Sequence, residues 1–185
     1  MLLLFCGAAI AQTLHHGSFF AAAISSEYVI VAIDSRASSD RAQPNDRHCK
    51  IQPLSESAFF FATGLSYVLD RNSNVVLDAG QTAKIVFDQL RSRNLDRVAE
   101  SWGEKIKAEY IVKKIRIRGN PTIVTGFFAG TDEAGNINFS FAKVDYRSSG
   151  LAITVERETP GSGLTAPLLY SGHAEIMQEF MSVQN

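Results

Sequence analysis

The sequence predicts an α+β fold in which two stacked antiparallel sheets lie between layers of helices. Short apolar runs of strand length occur in both halves of the chain and are bounded by turn residues. Between them lie two stretches whose apolar residues recur at helical spacing. Because several of the runs are apolar at every position, their strands need packing partners on both faces. A second sheet and a helix layer would supply those partners.

The apolar runs are expected to pair into hairpins. The first pair is joined by Ser26-Glu27 and is expected to be buried on both faces, the second turns around residues 53–56, and a later pair turns at residues 132–135. The predicted strands are residues 19–25, 29–34, 48–52, 58–64, 122–130, 137–145, 151–157 and 167–172.

The helical stretches show apolar residues at positions i, i+3, i+4 and i+7. We expect the second of them to be stopped by Gly119-Asn120-Pro121, and a last short helix over residues 175–183. The residues that carry the spacing are Ala83, Val86, Phe87 and Leu90 in the first stretch, and Leu95, Val98, Ala99, Trp102 and Ile106 in the second.

Length and charge narrow the function classes. The 185 residues suit one domain with a sizeable core. A net charge of −1 provides no global attraction to nucleic acid or to acidic lipid. The basic residues between 105 and 118 are interpreted as a solvated helix end, since only Tyr110 could stack on a base. His15-His16 lack a third ligand, so neither a metal nor a cofactor is expected.

The first residues are treated separately from the fold. Residues 1–11 are apolar and end in Ala9-Ile10-Ala11, which matches a signal peptide and its cleavage site. An apolar propeptide and a misplaced start codon are the alternatives. The protein is expected to be secreted or periplasmic if the segment is a signal peptide, and cytoplasmic otherwise. No other segment is long and apolar enough to predict a membrane span.

Four features in register indicate a function. Gly17-Ser18 precedes the first apolar run, and Asp34-Ser35-Arg36-Ala37 follows the second. Lys50 lies in the third run, and Gly64 ends the fourth. With these spacings, residues 18–64 resemble β-type subunits of the proteasome family, which are N-terminal nucleophile hydrolases. Residues 125–145 resemble a later hairpin of that family.

The resemblance implies a four-layer αββα sandwich and a self-processing endopeptidase that acts on peptides or unfolded proteins. Residues 1–17 would be signal peptide or propeptide, and residues 18–185 the hydrolase domain. Ser18 would be the nucleophile, freed by cleavage after Gly17. Its α-amine would be the base, since a free α-amine has a pKa of about 7.7–8.0.

The remaining roles are also implied by the resemblance. Lys50 would lower the pKa of the amine, Asp34 would hold Lys50 charged, and the Gly64 N–H would bind the oxyanion. Arg36 and Ser171 would support the site. Of the pocket residues, Asp70 would favour a basic side chain before the cut. The pocket would comprise Ala37, His48, Ala62, Ser66 and Asp70.

One departure from the family concerns the end of the chain. Family members continue past the helix near His173 with another helix and two strands, so the chain is expected to be shortened, trimmed or completed by a neighbour. An uncovered sheet edge would favour assembly into a ring-shaped homo-oligomer. Two alternatives to the peptidase are an inactive structural subunit of the same fold and an amidase that acts on a small substrate.

Overall fold

A computed structural model describes residues 20–24, 26–33, 50–69, 74–115, 122–132, 134–158 and 168–171. Among these residues it shows ten strands and two helices. The strands are β1 (Phe20–Ile24), β2 (Val29–Ile33), β3 (Ile51–Ser55), β4 (Ala58–Gly64), β5 (Tyr67–Leu69), β6 (Val75–Asp78), β7 (Thr122–Thr131), β8 (Ile137–Arg147), β9 (Gly150–Glu158) and β10 (Leu168–Ser171). The helices are α1 (Ala79–Leu90) and α2 (Leu95–Val112).

The described strands form two larger antiparallel sheets and one short hairpin. The small sheet has the order β10-β1-β2, the large sheet has the order β3-β4-β7-β8-β9, and β5 pairs with β6. The prediction of an α+β fold is therefore confirmed. The predicted hairpins β1-β2, β3-β4 and β7-β8 are confirmed as pairs.

Two hydrophobic clusters lie on opposite faces of the large sheet. Phe20, Ala22 and Ile24 of the small sheet share one cluster with aromatic residues of β4, β7 and β8. The other cluster joins the large sheet to α1 and α2, with Trp102 fully buried at its centre. In the part of the chain that the structure describes, the layers are thus small sheet, large sheet and helices.

Burial on both faces is confirmed for the central strands and is wrong for β2. Strands β4 and β7 are buried along most of their lengths on both faces. In β2, Ile30 is 62 % exposed while Val29 and Val31 pack on the core between the sheets. In the described residues, β2 therefore packs one face against the large sheet and leaves Ile30 on the other face exposed.

The second predicted hairpin turns later than expected. Strand β3 continues through Pro53 to Ser55, and the turn lies at Glu56-Ser57. Pro53 is tolerated because β3 is an edge strand and its pairing is irregular between Pro53 and Ser55. Burial of Leu54, which is 3 % exposed, favours this extension.

Helix α2 ends before the predicted stop at residues 119–121. Its last residue is Val112, and Lys114 adopts a left-handed conformation with φ 49°. The Ile115 N–H then donates to the Tyr110 carbonyl, and the Lys114 N–H donates to the Ile111 carbonyl. This is a Schellman motif built without glycine. The predicted stop and the predicted helix at 175–183 lie outside the described residues.

The left-handed lysine leads to a stability prediction. Glycine adopts this conformation without the cost that a Cβ atom imposes. We expect Lys114→Gly to raise the free energy of unfolding by about 0.5–1 kcal/mol, measured by urea denaturation. The control Lys107→Gly, inside α2, should lower it by about 1 kcal/mol. A loss of stability in Lys114→Gly would contradict the prediction.

The β7-β8 turn provides a pH-dependent contribution to stability. The carboxylate of Asp132 accepts the N–H groups of Asn136 and Ala134, each at 2.9 Å. The bonds from Asn136, followed by that from Ala134, lower the pKa of Asp132 below its usual value. The deprotonated form is therefore favoured in the folded state.

The sign of this effect is testable with Asp132→Asn. Since the folded pKa is the lower one, the stabilisation is present above the unfolded pKa of about 3.9 and is lost as the pH falls through the folded value. We expect the melting temperature of wild type to exceed that of Asp132→Asn near neutral pH. This difference in melting temperature should shrink towards pH ~3. A gap that widens on acidification would show that the turn does not favour the charged form.

Candidate functional site

The structure describes only some of the residues predicted to form the site. Lys50, Ala62, Gly64 and Ser66 are described in full, and Ser171 is described as part of strand β10. The other predicted site residues lie outside the described residues, and their roles stay predictions. These residues are Gly17, Ser18, Asp34, Arg36, Ala37, His48 and Asp70.

Lys50 and Gly64 lie at the same end of the large sheet. Lys50 directly precedes β3, and Gly64 is the last residue of β4. Ile51 pairs with Phe61 in this antiparallel ladder, so the same register places Lys50 opposite Ala62. Lys50 is half-buried. The two residues predicted to activate the nucleophile and to bind the oxyanion are therefore near neighbours in the fold.

The position of Gly64 requires glycine for two reasons. Its φ is +81°, a conformation that side chains with a Cβ rarely adopt. A Cβ at this position would also lie 2.4 Å from the carbonyl oxygen of Ile123 on β7. That oxygen belongs to the backbone of a central strand, so it cannot move aside as a flexible side chain would.

The register also orients the backbone N–H of Gly64. Gly64 lies opposite Val124, and the next residue, Leu65, donates its N–H to the Ile123 carbonyl at 2.8 Å. Hydrogen-bonded and non-hydrogen-bonded pairs alternate along an antiparallel ladder. The Gly64 N–H is therefore directed away from β7 and towards the side of β4 on which β3 lies, where Lys50 is found.

Hydrogen bonds from several elements hold the turn after Gly64. The Ser66 N–H donates to the Gly64 carbonyl, and the Ser66 carbonyl accepts the N–H of Ala79, both at 2.9 Å. The hydroxyl of Tyr110, on α2, donates to the Leu65 carbonyl at 2.5 Å. Sequence reasoning missed Tyr110 as a contributor, because it considered this residue only as an aromatic in a solvated helix end, whereas Tyr110 is 2 % exposed.

Two of the predicted pocket residues are described. Ala62 is 5 % exposed and belongs to the core between the large sheet and the helices. Ser66 is half-buried in the turn that leads from β4 to β5. Both lie at the end of β4 that carries Gly64, while their contribution to a substrate pocket stays a prediction.

The first strand, β1 of the small sheet, packs on the middle of β4. The ring of Phe20 packs against Phe61 at 5.0 Å and against Phe127 at 4.4 Å between ring centroids. Phe20 pairs with Ile33 of β2 on one side and with Ser171 of β10 on the other. The start of β1 and the ends of β2 and β10 thus meet above Phe61, the middle residue of β4.

Burial changes the acidity of one group beside this turn. Tyr110 is 2 % exposed, and its burial raises the pKa of the phenol well above its usual range. The hydroxyl therefore keeps its proton and acts as a hydrogen-bond donor throughout the neutral range.

A separate surface depression lies at the opposite edge of the large sheet. It has a volume of about 500 Å³ and is lined by the first turns of α2 and by Ile153 and Val155 of β9. Sheet order places β9 at one edge and β3 at the other. The depression shares no residue with the predicted site. Of its acidic residues on α2, Glu100 and Glu104 are exposed, and Asp96 accepts a hydrogen bond from Ser140.

Comparison of the sequence with protein-family models and with curated proteins finds no match in either set. In the described ranges, no three or more His, Cys, Asp or Glu side chains are grouped as metal ligands would be. Neither described helix has both the length and the hydropathy of a membrane span.

The geometry of Gly64 predicts a large effect of an added methyl group. We expect Gly64→Ala to lower the free energy of unfolding by more than about 2 kcal/mol, because both the positive φ and the contact with Ile123 oppose a Cβ. Urea denaturation measures the change. The matched control is Gly135→Ala, where φ is +84° but no atom lies within 4 Å of the added Cβ. Equal losses in the two variants would contradict a role for the close approach.

Proposed function

We propose that the protein is a self-processing endopeptidase of the proteasome type, an N-terminal nucleophile hydrolase with Ser18 as its nucleophile. The observation that carries this proposal is the convergence of strand ends around Phe20. Ser18 lies two residues before Phe20 in the sequence, and Asp34 directly follows Ile33, the partner of Phe20 in β2.

The contact between the sheets extends this convergence to the other predicted residues. Phe20 packs on Phe61, which pairs with Ile51 and lies three residues before Gly64. Lys50 directly precedes Ile51. In the proposal, the segments before Phe20 and after Ile33 continue towards the Gly64 end of β4, where the nucleophile and the acid would meet the lysine and the oxyanion glycine, as this chemistry requires.

In the proposed reaction, the free α-amine of Ser18 takes the proton of the Ser18 hydroxyl as the oxygen attacks the substrate carbonyl. The positive charge of Lys50 favours the alkoxide and lowers the pKa of the amine, and Asp34 keeps that lysine charged. The Gly64 N–H donates to the oxyanion. The amine then returns the proton to the leaving amide nitrogen, and water hydrolyses the ester.

Processing after Gly17 follows from the same chemistry. While Gly17 is attached, the Ser18 nitrogen is an amide and cannot act as a base. Attack of the Ser18 hydroxyl on the Gly17 carbonyl would form an ester and break the Gly17–Ser18 amide bond, which frees the α-amine. Hydrolysis of the ester would then release the leader and restore the hydroxyl. Gly17 has no side chain that would obstruct this attack.

The layer order of the described residues supports the fold that the proposal requires. Small sheet, large sheet and helices correspond to three layers of an αββα sandwich. The helix predicted over residues 175–183 would supply the fourth layer next to the exposed face of β2. We further propose a ring-shaped homo-oligomer that acts on short or unfolded peptides, since enclosure of the site would exclude folded proteins.

The proposal predicts the N-terminus and two inactive variants. Intact-mass measurement after expression should show a chain that begins at Ser18. Ser18→Ala should keep its leader and lose peptide hydrolysis. Lys50→Ala should lose nearly as much activity, because removing the cation leaves the hydroxyl weakly nucleophilic.

Lys143→Ala is the matched control. Lys143 pairs with Glu156 at 2.9 Å on the opposite half of the large sheet, and we expect wild-type processing and turnover from this variant. Full turnover in Lys50→Ala would contradict the role of that lysine. A processed chain that hydrolyses a small amide but no peptide would favour the amidase. An unprocessed, inactive chain would favour the structural subunit.

A further inference from the structure

A tyrosine hydroxyl from helix α2 holds the turn that follows the predicted oxyanion glycine. The hydroxyl of Tyr110 donates to the carbonyl oxygen of Leu65, the residue after Gly64. Tyr110 is 2 % exposed, so its ring is fixed by the surrounding core. The bond joins two segments that are far apart in the sequence, so it is a tertiary restraint on the turn.

The restraint acts next to Gly64, a residue whose φ and ψ angles are not restricted by a side chain. Gly64 has a φ of +81° and, lacking a Cβ, has access to a wide range of φ and ψ values. The ladder with β7 holds Gly64 and, through the bond from the Leu65 N–H to the Ile123 carbonyl, the peptide group that follows it. Tyr110 fixes the peptide group after Leu65. Consecutive peptide groups after Gly64 are then held by β7 and by α2, so loss of the bond to the Leu65 carbonyl would remove one restraint on the turn next to the Gly64 N–H.

We propose that Tyr110 is a positioning residue that aims the Gly64 N–H at the developing oxyanion. This proposal rests on the proposed function, because it assigns a task to the same N–H. Tyr110 acts through the Leu65 carbonyl and does not touch the substrate. Preorganised donors of this kind stabilise the transition state because no reorganisation accompanies the reaction.

The test is Tyr110→Phe, which removes one hydroxyl and keeps the ring. We expect kcat to fall about 10- to 100-fold, since small misplacements of catalytic groups have effects of this size. KM should stay within about twofold, because the oxyanion forms only in the transition state. Steady-state hydrolysis of a fluorogenic peptide by the processed enzyme measures both constants.

The matched control is Ser140→Ala. Ser140 is fully buried and donates its hydroxyl to Asp96, so this variant also loses one buried hydrogen bond of a hydroxyl. Ser140 pairs with Phe128, which pairs with Phe60, four residues along β4 from Gly64. We expect kcat to remain within about twofold of wild type. Thermal melts of both variants set a temperature at which each is folded.

A second readout does not depend on catalysis. Hydrogen exchange measured by mass spectrometry should be faster in Tyr110→Phe than in wild type for the peptide that spans Gly64 to Ser66. Ser140→Ala should leave that peptide unchanged. Unchanged exchange in Tyr110→Phe would overturn the restraint, whether or not the enzyme is active.

The outcomes separate the two proposals. Faster exchange together with a lower kcat and an unchanged KM would support the positioning role. Wild-type kcat in Tyr110→Phe would overturn it while the proposed function stands. A wild-type chain that neither processes itself nor hydrolyses peptides would overturn the proposed function, and the positioning role with it.

Discussion

Burial of strand β4 on both faces is the constraint on which the rest of the structure depends. Two adjacent phenylalanines pack into the cores on opposite faces of the large sheet. The ring centroid of Phe60 lies 5.4 Å from that of Trp102 on α2, and the ring centroid of Phe61 lies 5.0 Å from that of Phe20 on β1. Because side chains alternate along a strand, one dipeptide joins the helices to the large sheet and the large sheet to the small one. Truncation of a buried phenylalanine to alanine typically costs about 3–5 kcal/mol, so each contact is a large share of the stability of a domain. The close approach also explains Gly126 on β7, where a Cβ would lie 2.5 Å from the Trp102 ring.

This constraint determines where a site can form. The middle of β4 is held from below by the helix core and from above by β1. Its Gly64 end is held by β7 and by hydrogen bonds to the turn that follows. The N–H of Gly64 is directed towards β3 by the register with β7, and the turn beyond it is tied to α1 and α2. In the proposed mechanism the oxyanion donor is therefore positioned by packing across three layers, and Lys50 approaches it through the β3-β4 pairing.

Much of the fold could be predicted because it follows from local patterns. Uniform apolar runs predicted β4 and β7, and the spacing of Leu95, Val98 and Trp102 predicted α2.

What could not be predicted depends on tertiary contacts. The short β5-β6 hairpin is too brief to show a period, and the left-handed Lys114 ends α2 before the glycine at 119 that was expected to stop it. In the site, the resemblance implied roles for Lys50 and Gly64, and the β3-β4 pairing places both at one end of the large sheet. The need for glycine at 64 comes from the Ile123 carbonyl, which belongs to a strand much later in the sequence.

The proposed chemistry makes assembly of the fold a condition for its own activation. The Ser18 nitrogen is an amide before cleavage, so the first attack has to be promoted by groups other than the α-amine. In the proposal these groups are the charge of Lys50 and the N–H of Gly64, which come together only when β3 pairs with β4 and β4 pairs with β7. In the proposal, the contact of Phe20 with Phe61 anchors the first strand, and the segment before Phe20 would reach these groups from there. An unfolded or partly folded chain would lack this arrangement and stay inactive. The inter-sheet aromatic core would therefore control when the nucleophile is released, as well as where it is held.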